Sequence, residues 1–359
     1  MSRAVGIPAS PLTHGTRVYE IDPLRDSRWP RFLERHSQAT VFHSPEWLEA
    51  LSRTYGYRSG VLTSTGPDRD LVNGLVFCRV KSWLTGRRVV SLPFSDHCTP
   101  LVDRAEELVE FLAKLKQDRT RGKYVEIRCL AGQPAAAAGL AVAAAYCLHR
   151  LDLSPSHDEI LRGFHANHVR RKIARAEREG LTYEEGRSEL LLQKFYRLAL
   201  LTRRRHHLPP QPLAWFRNLI ACMGDRLKIR LASYQGRPAA GTLTLRYKST
   251  MTYKYGFSDV SFHRLGSMQL LLWRAIQEAK SEGLAAFDMG RTDWANPGLI
   301  AFKDHWGAAR KSVVYLRDPA RELPRGTGGL AMRLASQAFT LVPDSLLTAA
   351  GNLLYRHMA

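Results

Sequence analysis

The sequence predicts a mixed α/β fold. Residues Thr250 to Phe257 are β-branched and aromatic, as in a strand, and turn residues follow up to Gly266. A periodic apolar pattern then predicts a helix that begins near Ser267, and Ala285 to Met289 is apolar enough for a buried strand. This order of strand, loop, helix and strand is typical of a βαβ-like unit. The length of 359 residues suits two domains, each with its own core.

The composition is strongly basic, with 53 Lys and Arg against 33 Asp and Glu. A net charge of +20 favours partners that carry phosphate or carboxylate, such as CoA, tRNA, nucleotide-sugars or an anionic membrane surface. Five scattered cysteines without a C-x-x-C pair predict neither a disulfide framework nor a zinc site. Because the N-terminus lacks a secretory apolar region and no long apolar run follows, we expect a cytoplasmic protein.

The first half reads as alternating strands and helices after a disordered lead over 1–16. Ser44 followed by Pro45 predicts a helix start, and Trp47 is assigned to the core. The remaining predicted elements are an edge strand at Arg17–Ile21, strands at Tyr57–Thr63, Leu71–Val80, Arg88–Leu92 and Tyr124–Arg128, a helix at Glu106–Lys116, a short helix within the Ala-rich residues 131–145, and a strand at Tyr146–Leu153.

A polar loop bounded by prolines, PFSDHCTP at Pro93 to Pro100, interrupts this half. Loops on a scaffold carry many ligand contacts, so Asp96 and His97 are candidate substrate-binding residues. An Asx turn capped by Asp96 is the alternative interpretation.

Residues Ser156 to Gly180 predict a basic helix with a buried apolar stripe. Five cations, among them Arg171 and Arg175, fall within nine residues and have few acidic partners at helical spacing. The run indicates either an anion-binding face or a solvated surface. Nucleic acid is not required, because no aromatic residues are interleaved to stack on bases.

The second half continues with helices at Glu189–Arg205 and Pro212–Met223 and strands at Leu227–Tyr234 and Ala239–Tyr247. His206 and His207 are adjacent and would diverge on a helix, so they do not predict a metal site. After Tyr315 a linker leads to two apolar runs around Pro343. These runs predict a helical tail that packs on its own domain or, alternatively, lies at a membrane surface through an amphipathic face.

Three motifs carry a resemblance to a known family. They are HVRRKIARAEREG at His168–Gly180, FDMGR at Phe287–Arg291 and FKDHWG at Phe302–Gly307. Weaker similarities are FHSPEWLEAL near Phe42, LPFSDHCTPL near Leu92, VEIR at Val125 and TRRRHHLPPQP at Thr202. In this order, over about residues 40 to 315, the chain resembles the FemAB-like branch of the GNAT acyltransferases, which are tandem-domain, peptidoglycan-bridge and polysaccharide-associated transferases.

The resemblance implies two tandem GNAT-like domains, each a mixed sheet flanked by helices. We assign 17–155 to a degenerate N-terminal copy, 156–318 to the acyltransferase domain, and 319–359 to a linker and helical tail. The implied donor is acyl-CoA or an aminoacyl-tRNA, without a metal. The donor phosphate would lie at the start of the Ser267 helix, near His263, Arg264, Gly266 and Ser267. The family's donor loop is only partly matched, because His263 and Met268 depart from it.

The chemistry of acyl transfer to an amine singles out three catalytic candidates. Asp288 could orient the amine or accept its proton, unless it is a strand-end carboxylate paired with Arg291. Arg291 and Lys303 supply positive charge for the developing oxyanion. The resemblance places Lys303, which we expect in a loop, beside the acceptor pocket; a surface lysine is the alternative. Arg204 and Tyr255 complete the predicted substrate contacts.

The sequence therefore predicts a cytoplasmic N-acyltransferase that modifies an amine of a cell-envelope sugar or peptidoglycan-type precursor. Its acceptor would be anionic or nucleotide-linked, with tRNA and a peripheral membrane contact as further partners. The alternative function is a non-catalytic GNAT-like protein that docks on anionic lipid or nucleic acid.

Overall fold

The fold is seen in a computed structural model that describes residues 17–117, 122–133, 139–319 and 343–357. The strands in these ranges are β1 Tyr19–Ile21, β2 Arg58–Thr63, β3 Leu75–Ser82, β4 Gly86–Ser91, β5 Val125–Leu130, β6 Ala141–Asp152, β7 Thr182–Gly186, β8 Leu227–Tyr234, β9 Arg237–Tyr247, β10 Thr250–Ser258, β11 Ala286–Asp293 and β12 Ala309–Asp318. The α-helices are α1 Arg28–Arg35, α2 Pro45–Tyr55, α3 Ala105–Gln117, α4 His157–Gly163, α5 Arg171–Arg178, α6 Glu189–Arg205, α7 Leu213–Met223, α8 Ser267–Ser281, α9 Pro297–Asp304 and α10 Asp344–Leu354.

All twelve strands form one mixed sheet in the order β1-β2-β3-β4-β5-β12-β6-β11-β10-β9-β8-β7. The order is palindromic: β1 to β5 of the first half are matched by β7 to β11 of the second. Each half has one parallel contact of three residue pairs, β4 with β5 and β10 with β11. The predicted fold class, two tandem copies of a mixed sheet flanked by helices with a C-terminal helix, is confirmed.

The last strands of the two halves, β6 and β12, each pair with a strand of the other half. Strand β12 pairs antiparallel with β5 of the first half, and β6 pairs antiparallel with β11 of the second. β6 and β12 also pair with each other at the centre of the sheet. The predicted boundaries at 155 and 318 stay predictions, because this exchange binds the halves into one sheet.

The helices of the two halves share a core as well. Trp47 of α2 and Trp215 of α7 are both fully buried, with ring centroids 5.2 Å apart and planes nearly perpendicular. Ser44 caps α2 by accepting a hydrogen bond from the Trp47 N–H. The predicted N-cap and the core role of Trp47 are thus confirmed.

The predicted single helix over 156–180 is wrong. After α4 the chain becomes extended at Phe164, passes through a π-helical turn at Ala166–Arg170 and then enters α5. Phe164 is buried with its ring edge-on to Trp273 and Trp306. Burial of this side chain explains the break better than local helix propensity, which is a weak preference.

One further expectation differs from the structure, and three elements were not predicted. Residues 141–145 belong to β6 rather than to an Ala-rich helix, because pairing with β12 overrides the helix preference of alanine. Helix α1 and strands β7 and β12 were not predicted. The disordered lead over 1–16, and most of the linker and first tail run, lie outside the described residues.

The described part of the tail packs on both halves, and an added Cβ at Gly351 would clash with the Pro210 carbonyl oxygen of the second half. Leu347 and Tyr355 are buried, and the Tyr57 hydroxyl donates a hydrogen bond of 2.7 Å to the Arg356 carbonyl. The sequence predicted packing on the tail's own domain; residues 343–357 do pack on the chain itself, but against both halves. None of the described helices is both long and apolar enough to cross a bilayer.

Candidate active site

The site lies where β10 and β11 separate. Their parallel pairing runs from Thr250 opposite Ala286 to Thr252 opposite Asp288, although β10 continues to Ser258 and β11 to Asp293. The register of β10 against β9 shifts between Tyr253 and Tyr255, and that of β11 against β6 shifts between Asp288 and Arg291. Bulges of this kind redirect side chains and are frequent beside active sites.

Gly290 allows the two strands to part in this way. Its φ of +71° lies in the left-handed region, and an added Cβ would lie 3.3 Å from both Asp96 Oδ2 and the Tyr253 carbonyl oxygen. Glycine thus admits the loop of the first half into the opening between β10 and β11.

Asp96 forms a buried ion pair there. Lys254 Nζ donates to Asp96 Oδ1 at 3.1 Å, and the ammonium also lies 5.0 Å from the Phe42 ring centroid. Burial lowers the pKa of Lys254. Asp96 therefore balances a desolvated cation, whereas the alternative prediction for it was an Asx turn.

Strand β5 holds the loop that carries Asp96 and His97. Arg128 Nη1 donates to the Leu92 carbonyl at 2.8 Å, and the Cys98 N–H donates to the Arg128 carbonyl at 2.7 Å. Arg128 is itself fixed by a 2.8 Å bond from Nε to the Glu126 carboxylate. A preorganised loop of this kind can hold reacting groups in place.

His97 and Asp288 form a pair through one imidazole nitrogen, Nε2, and the other imidazole nitrogen is not used by the pair. His97 Nε2 lies 3.7 Å from Asp288 Oδ2, while the buried His97 Nδ1 has no hydrogen-bond partner among the described residues. Asp288 Oδ1 accepts from the Gly290 N–H at 2.7 Å. Burial alone would raise the pKa of Asp288, but His97, the Gly290 N–H and Lys303 hold it below its usual value.

The pair faces a cavity of about 360 Å³ between the two halves. Its walls come from the segment 37–42, the loop at His97 and Thr99, and the sheet at β6, β10, β11 and β12. Three cations line it: Arg150, Lys248 and Lys311. The cavity can therefore receive an anionic molecule and bring it to His97.

Lys303 lies in α9 and not in the predicted loop, because Asn296 caps a helix that begins at Pro297. The residue is only 3% exposed, and its Nζ donates to the carbonyl of Gly290 at 2.7 Å and of Arg291 at 3.3 Å. Burial lowers the pKa of Lys303 to about 8. The alternative of a surface lysine does not fit this burial.

Arg291 stacks on aromatic rings of the two central strands, β6 and β12. Its guanidinium is 4.1 Å from the Tyr146 ring centroid and 5.3 Å from that of Tyr315. The structure thus brings together five of the predicted site residues: Asp96, His97, Asp288, Arg291 and Lys303.

The predicted donor residues lie at the start of α8. Gly266, with φ of +77°, precedes the helix, and an added Cβ there would lie 2.3 Å from the Lys172 carbonyl oxygen. Ser267 is buried, Arg264 is exposed, and His263 Nε2 lies 2.8 Å from the Ser258 hydroxyl. The basic helix α5 is therefore packed directly against the N-terminus of α8.

The other predicted contacts are more dispersed. Arg171 and Arg175 are exposed on α5, and Arg175 pairs with Glu179 at 3.1 Å. Arg204 pairs with Asp344 of α10 at 2.7 Å.

Tyr255 accepts a hydrogen bond of 2.8 Å from the Trp215 indole N–H, and its ring centroid lies 5.6 Å from Lys254 Nζ. Lys254 was missed by the sequence analysis. The sequence does indicate this residue: Lys254 is the single charge in the run TYKYGF, and a charge in a buried strand requires a partner.

Comparison with known proteins agrees with this architecture. The profile of the acetyltransferase (GNAT) domain family matches residues 163–304. This part of the chain is a GNAT domain, and it contains Asp288, Arg291 and Lys303. The chain as a whole has the fold of the tandem GNAT proteins. No curated protein sequence matches it significantly.

Solved structures with the same fold span most of the chain. FemX has a TM-score of 0.65 at 15% identity and covers 84% of this chain and 97% of its own. The C-terminal domain of a putative lysylphosphatidylglycerol synthetase from Agrobacterium fabrum has a TM-score of 0.53 at 14% identity, covering 90% and 96%. A tandem GNAT protein from the clavulanic acid biosynthesis pathway has a TM-score of 0.53 at 12% identity, covering 85% and 99%.

Proposed function

We propose that the protein is an N-acyltransferase that transfers an acyl or aminoacyl group to an amine of a cell-envelope sugar or peptidoglycan-type precursor. The observation that carries this proposal is the His97–Asp288 pair, since both residues line the cavity between the halves. The match of residues 163–304 to an acetyltransferase family supports the reaction class. The name of one protein of like fold, a putative lysylphosphatidylglycerol synthetase, favours aminoacyl transfer and a membrane-associated acceptor.

In this reaction the acceptor nitrogen attacks the donor carbonyl. A C–N bond forms, the C–S bond of a thioester or the C–O bond of an aminoacyl ester breaks, and the leaving group takes up a proton. His97 Nδ1 receives the proton that the amine loses, and Asp288 stabilises the imidazolium through Nε2. Lys303 and Arg291 supply positive charge near the developing oxyanion.

The proposed acceptor carries negative charge, as a nucleotide-linked precursor would. Arg150 and Lys311 reach the cavity from adjacent strands, and Lys248 lies at its rim, bound to the carbonyls of Leu33 and His36. These cations would draw in a phosphate or carboxylate and leave the amine to reach His97.

The proposed donor is acyl-CoA or an aminoacyl-tRNA, held at the start of α8. The N–H groups of a helix N-terminus favour phosphate. Arg264 is exposed just before α8, and Arg171 and Arg175 are exposed on α5, which packs against the start of α8. Both donors carry phosphate: acyl-CoA has a pyrophosphate that the pantetheine arm separates from its thioester, and aminoacyl-tRNA has the phosphodiesters of its 3′ end.

A binding experiment separates the two donors. We expect one of acetyl-CoA and a non-hydrolysable aminoacyl-tRNA analogue to raise the melting temperature, because it binds the folded state. The shift should shrink in Arg171→Glu/Arg175→Glu, whereas Arg58→Glu, at an exposed residue of β2 in the first half, serves as the control. Equal shifts in both variants would assign α5 to the solvated surface.

The second candidate is a non-catalytic GNAT-like protein that docks on anionic lipid or nucleic acid. The departures at His263 and Met268 from the family's donor loop favour it, as does the contact of His263 with Ser258. This candidate is favoured if neither donor shifts the melting temperature and the protein binds anionic vesicles or RNA.

A peripheral membrane contact is part of the proposal, for a protein otherwise in the cytoplasm. At the tip between β3 and β4, Trp83 is 73% exposed and Leu84 is exposed too. The Trp83 ring lies 5.2 Å from that of His357, beyond α10, where Leu346 and Leu353 are also exposed. Aromatic and aliphatic side chains beside basic ones are typical of an interfacial surface.

We expect Trp83→Ser/Leu84→Ser to weaken binding to phosphatidylglycerol vesicles, measured by sedimentation, by about 100-fold or more, because each side chain contributes about 1.5–3 kcal/mol when buried. These positions are better than deletion of the tail, since α10 contributes Leu347 to the core. Leu190→Ser, at another exposed leucine, is the control. Unchanged sedimentation of the double variant would remove this surface from membrane binding.

A further inference from the structure

Three histidines from two separate motifs meet at the surface beside α9. His165 and His168 lie at the π-helical turn, and His305 follows the last residue of α9. A ring nitrogen from each lies within 4.8 Å of those of the other two. The acyl-transfer proposal gives none of them a role.

The backbone holds the two segments together at this point. The His165 N–H donates to the His305 carbonyl at 2.8 Å, and an added Cβ at Gly307 would lie 3.2 Å from the Gly163 carbonyl oxygen. The rings of His168 and His305 are stacked, with planes 3° apart and centroids 4.2 Å apart, and the His165 ring is inclined at 63° to both. Backbone contacts between the two segments therefore hold the three side chains close to one another.

We propose that His165, His168 and His305 form a binding site for one borderline transition-metal ion, such as Zn²⁺. Three imidazoles and an open fourth position are a ligand set that such ions accept, whereas Mg²⁺ and Ca²⁺ require oxygen ligands. Two of the three residues are exposed, so an ion can enter from solvent. This proposal departs from the sequence prediction of a protein without a metal.

The existing contacts permit the rearrangement that binding requires. His165 Nδ1 accepts from the N–H groups of Asn167 and His168 at 3.2 and 3.4 Å. These are long hydrogen bonds, which a metal–imidazole bond can replace at small cost. The ion would then tie the π-helical turn to the end of α9, the helix that carries Lys303.

The test is a titration of the metal-free, untagged protein with CoCl₂ and ZnCl₂. We expect one ion per chain, a visible Co²⁺ spectrum typical of low coordination number, and no competition from MgCl₂. At free Zn²⁺ about 100 times the dissociation constant, the ratio of folded to unfolded protein should rise about 100-fold. Each of His168→Ala and His305→Ala should weaken metal binding by about 10-fold or more. Loss of a residue that only hydrogen-bonds to a metal ligand already costs about that much in affinity.

His157→Ala is the control, since His157 is another exposed histidine of the same domain and lies outside the cluster. Binding that survives both His168→Ala and His305→Ala, or falls equally in His157→Ala, would overturn the proposal. So would the absence of any Co²⁺ spectrum in the unaltered protein. Melting curves without metal show whether each variant is folded. Because the readout is metal binding, its failure leaves the acyltransferase proposal standing.

Discussion

Replacing His97 by glutamine is expected to lower the rate of acyl transfer by about 10²- to 10⁴-fold, the usual contribution of a positioned general base. Glutamine keeps a polar side chain of similar length but cannot take up the proton of the attacking amine. Asp288→Asn should cause a loss of similar kind, because Asp288 Oδ2 lies 3.7 Å from His97 Nε2 and can stabilise the imidazolium. The measurement is turnover of the donor that passes the binding test, with a panel of primary amines on charged sugars.

The double variant decides whether the two residues act as a unit. If they do, His97→Gln/Asp288→Asn should be little slower than the worse single variant, since members of one catalytic unit are strongly non-additive. Losses that multiply would mean that His97 and Asp288 act separately. If the variants lose activity only in proportion to their fall in melting temperature, both residues serve to pack the loop.

Most of the fold could be predicted because the sequence patterns are local. Helix α6 has the predicted bounds Glu189–Arg205, and α8 begins at the predicted Ser267. The exchange of β6 and β12 could not be predicted, because strand partners depend on contacts between residues far apart in the chain. The polar start of β12, ARKS, also lacks the apolar alternation that marks a strand.

The sequence analysis named several residues that the structure brings together, but it did not predict which of them pair with each other. Asp96, His97 and Asp288 were each chosen from its own segment, yet the pairing of Asp96 with Lys254 and of His97 with Asp288 arises only when the first half meets the second. Nor does a sequence reveal that His97 Nδ1 is buried without a hydrogen-bond partner among the residues that the structure describes, which is the feature that most favours a catalytic role. These chemical roles stay predictions until variants are measured.

The second large effect is expected at Lys303. Because its side chain is buried and bonded to the Gly290 carbonyl at 2.7 Å, truncation to alanine would leave a cavity as well as remove the charge. Methionine keeps most of the volume, so Lys303→Met isolates the charge. Loss of the charge should lower turnover about 100-fold or more, as loss of one oxyanion contact does, and the unpaired carbonyls should lower stability by about 1–3 kcal/mol.

Lys280→Met is the matched control, because Lys280 also donates to a backbone carbonyl, that of Ser154 at 3.2 Å, but at the surface. It should keep turnover within about threefold of the parent and change stability by less than about half a kcal/mol. Both variants are compared well below their melting temperatures, so that unfolding does not imitate a catalytic defect. If Lys303→Met loses stability as expected but turns over within about threefold of the parent, Lys303 only holds the Gly290 bulge in place, and the positive charge for the oxyanion must come from Arg291 or Lys254.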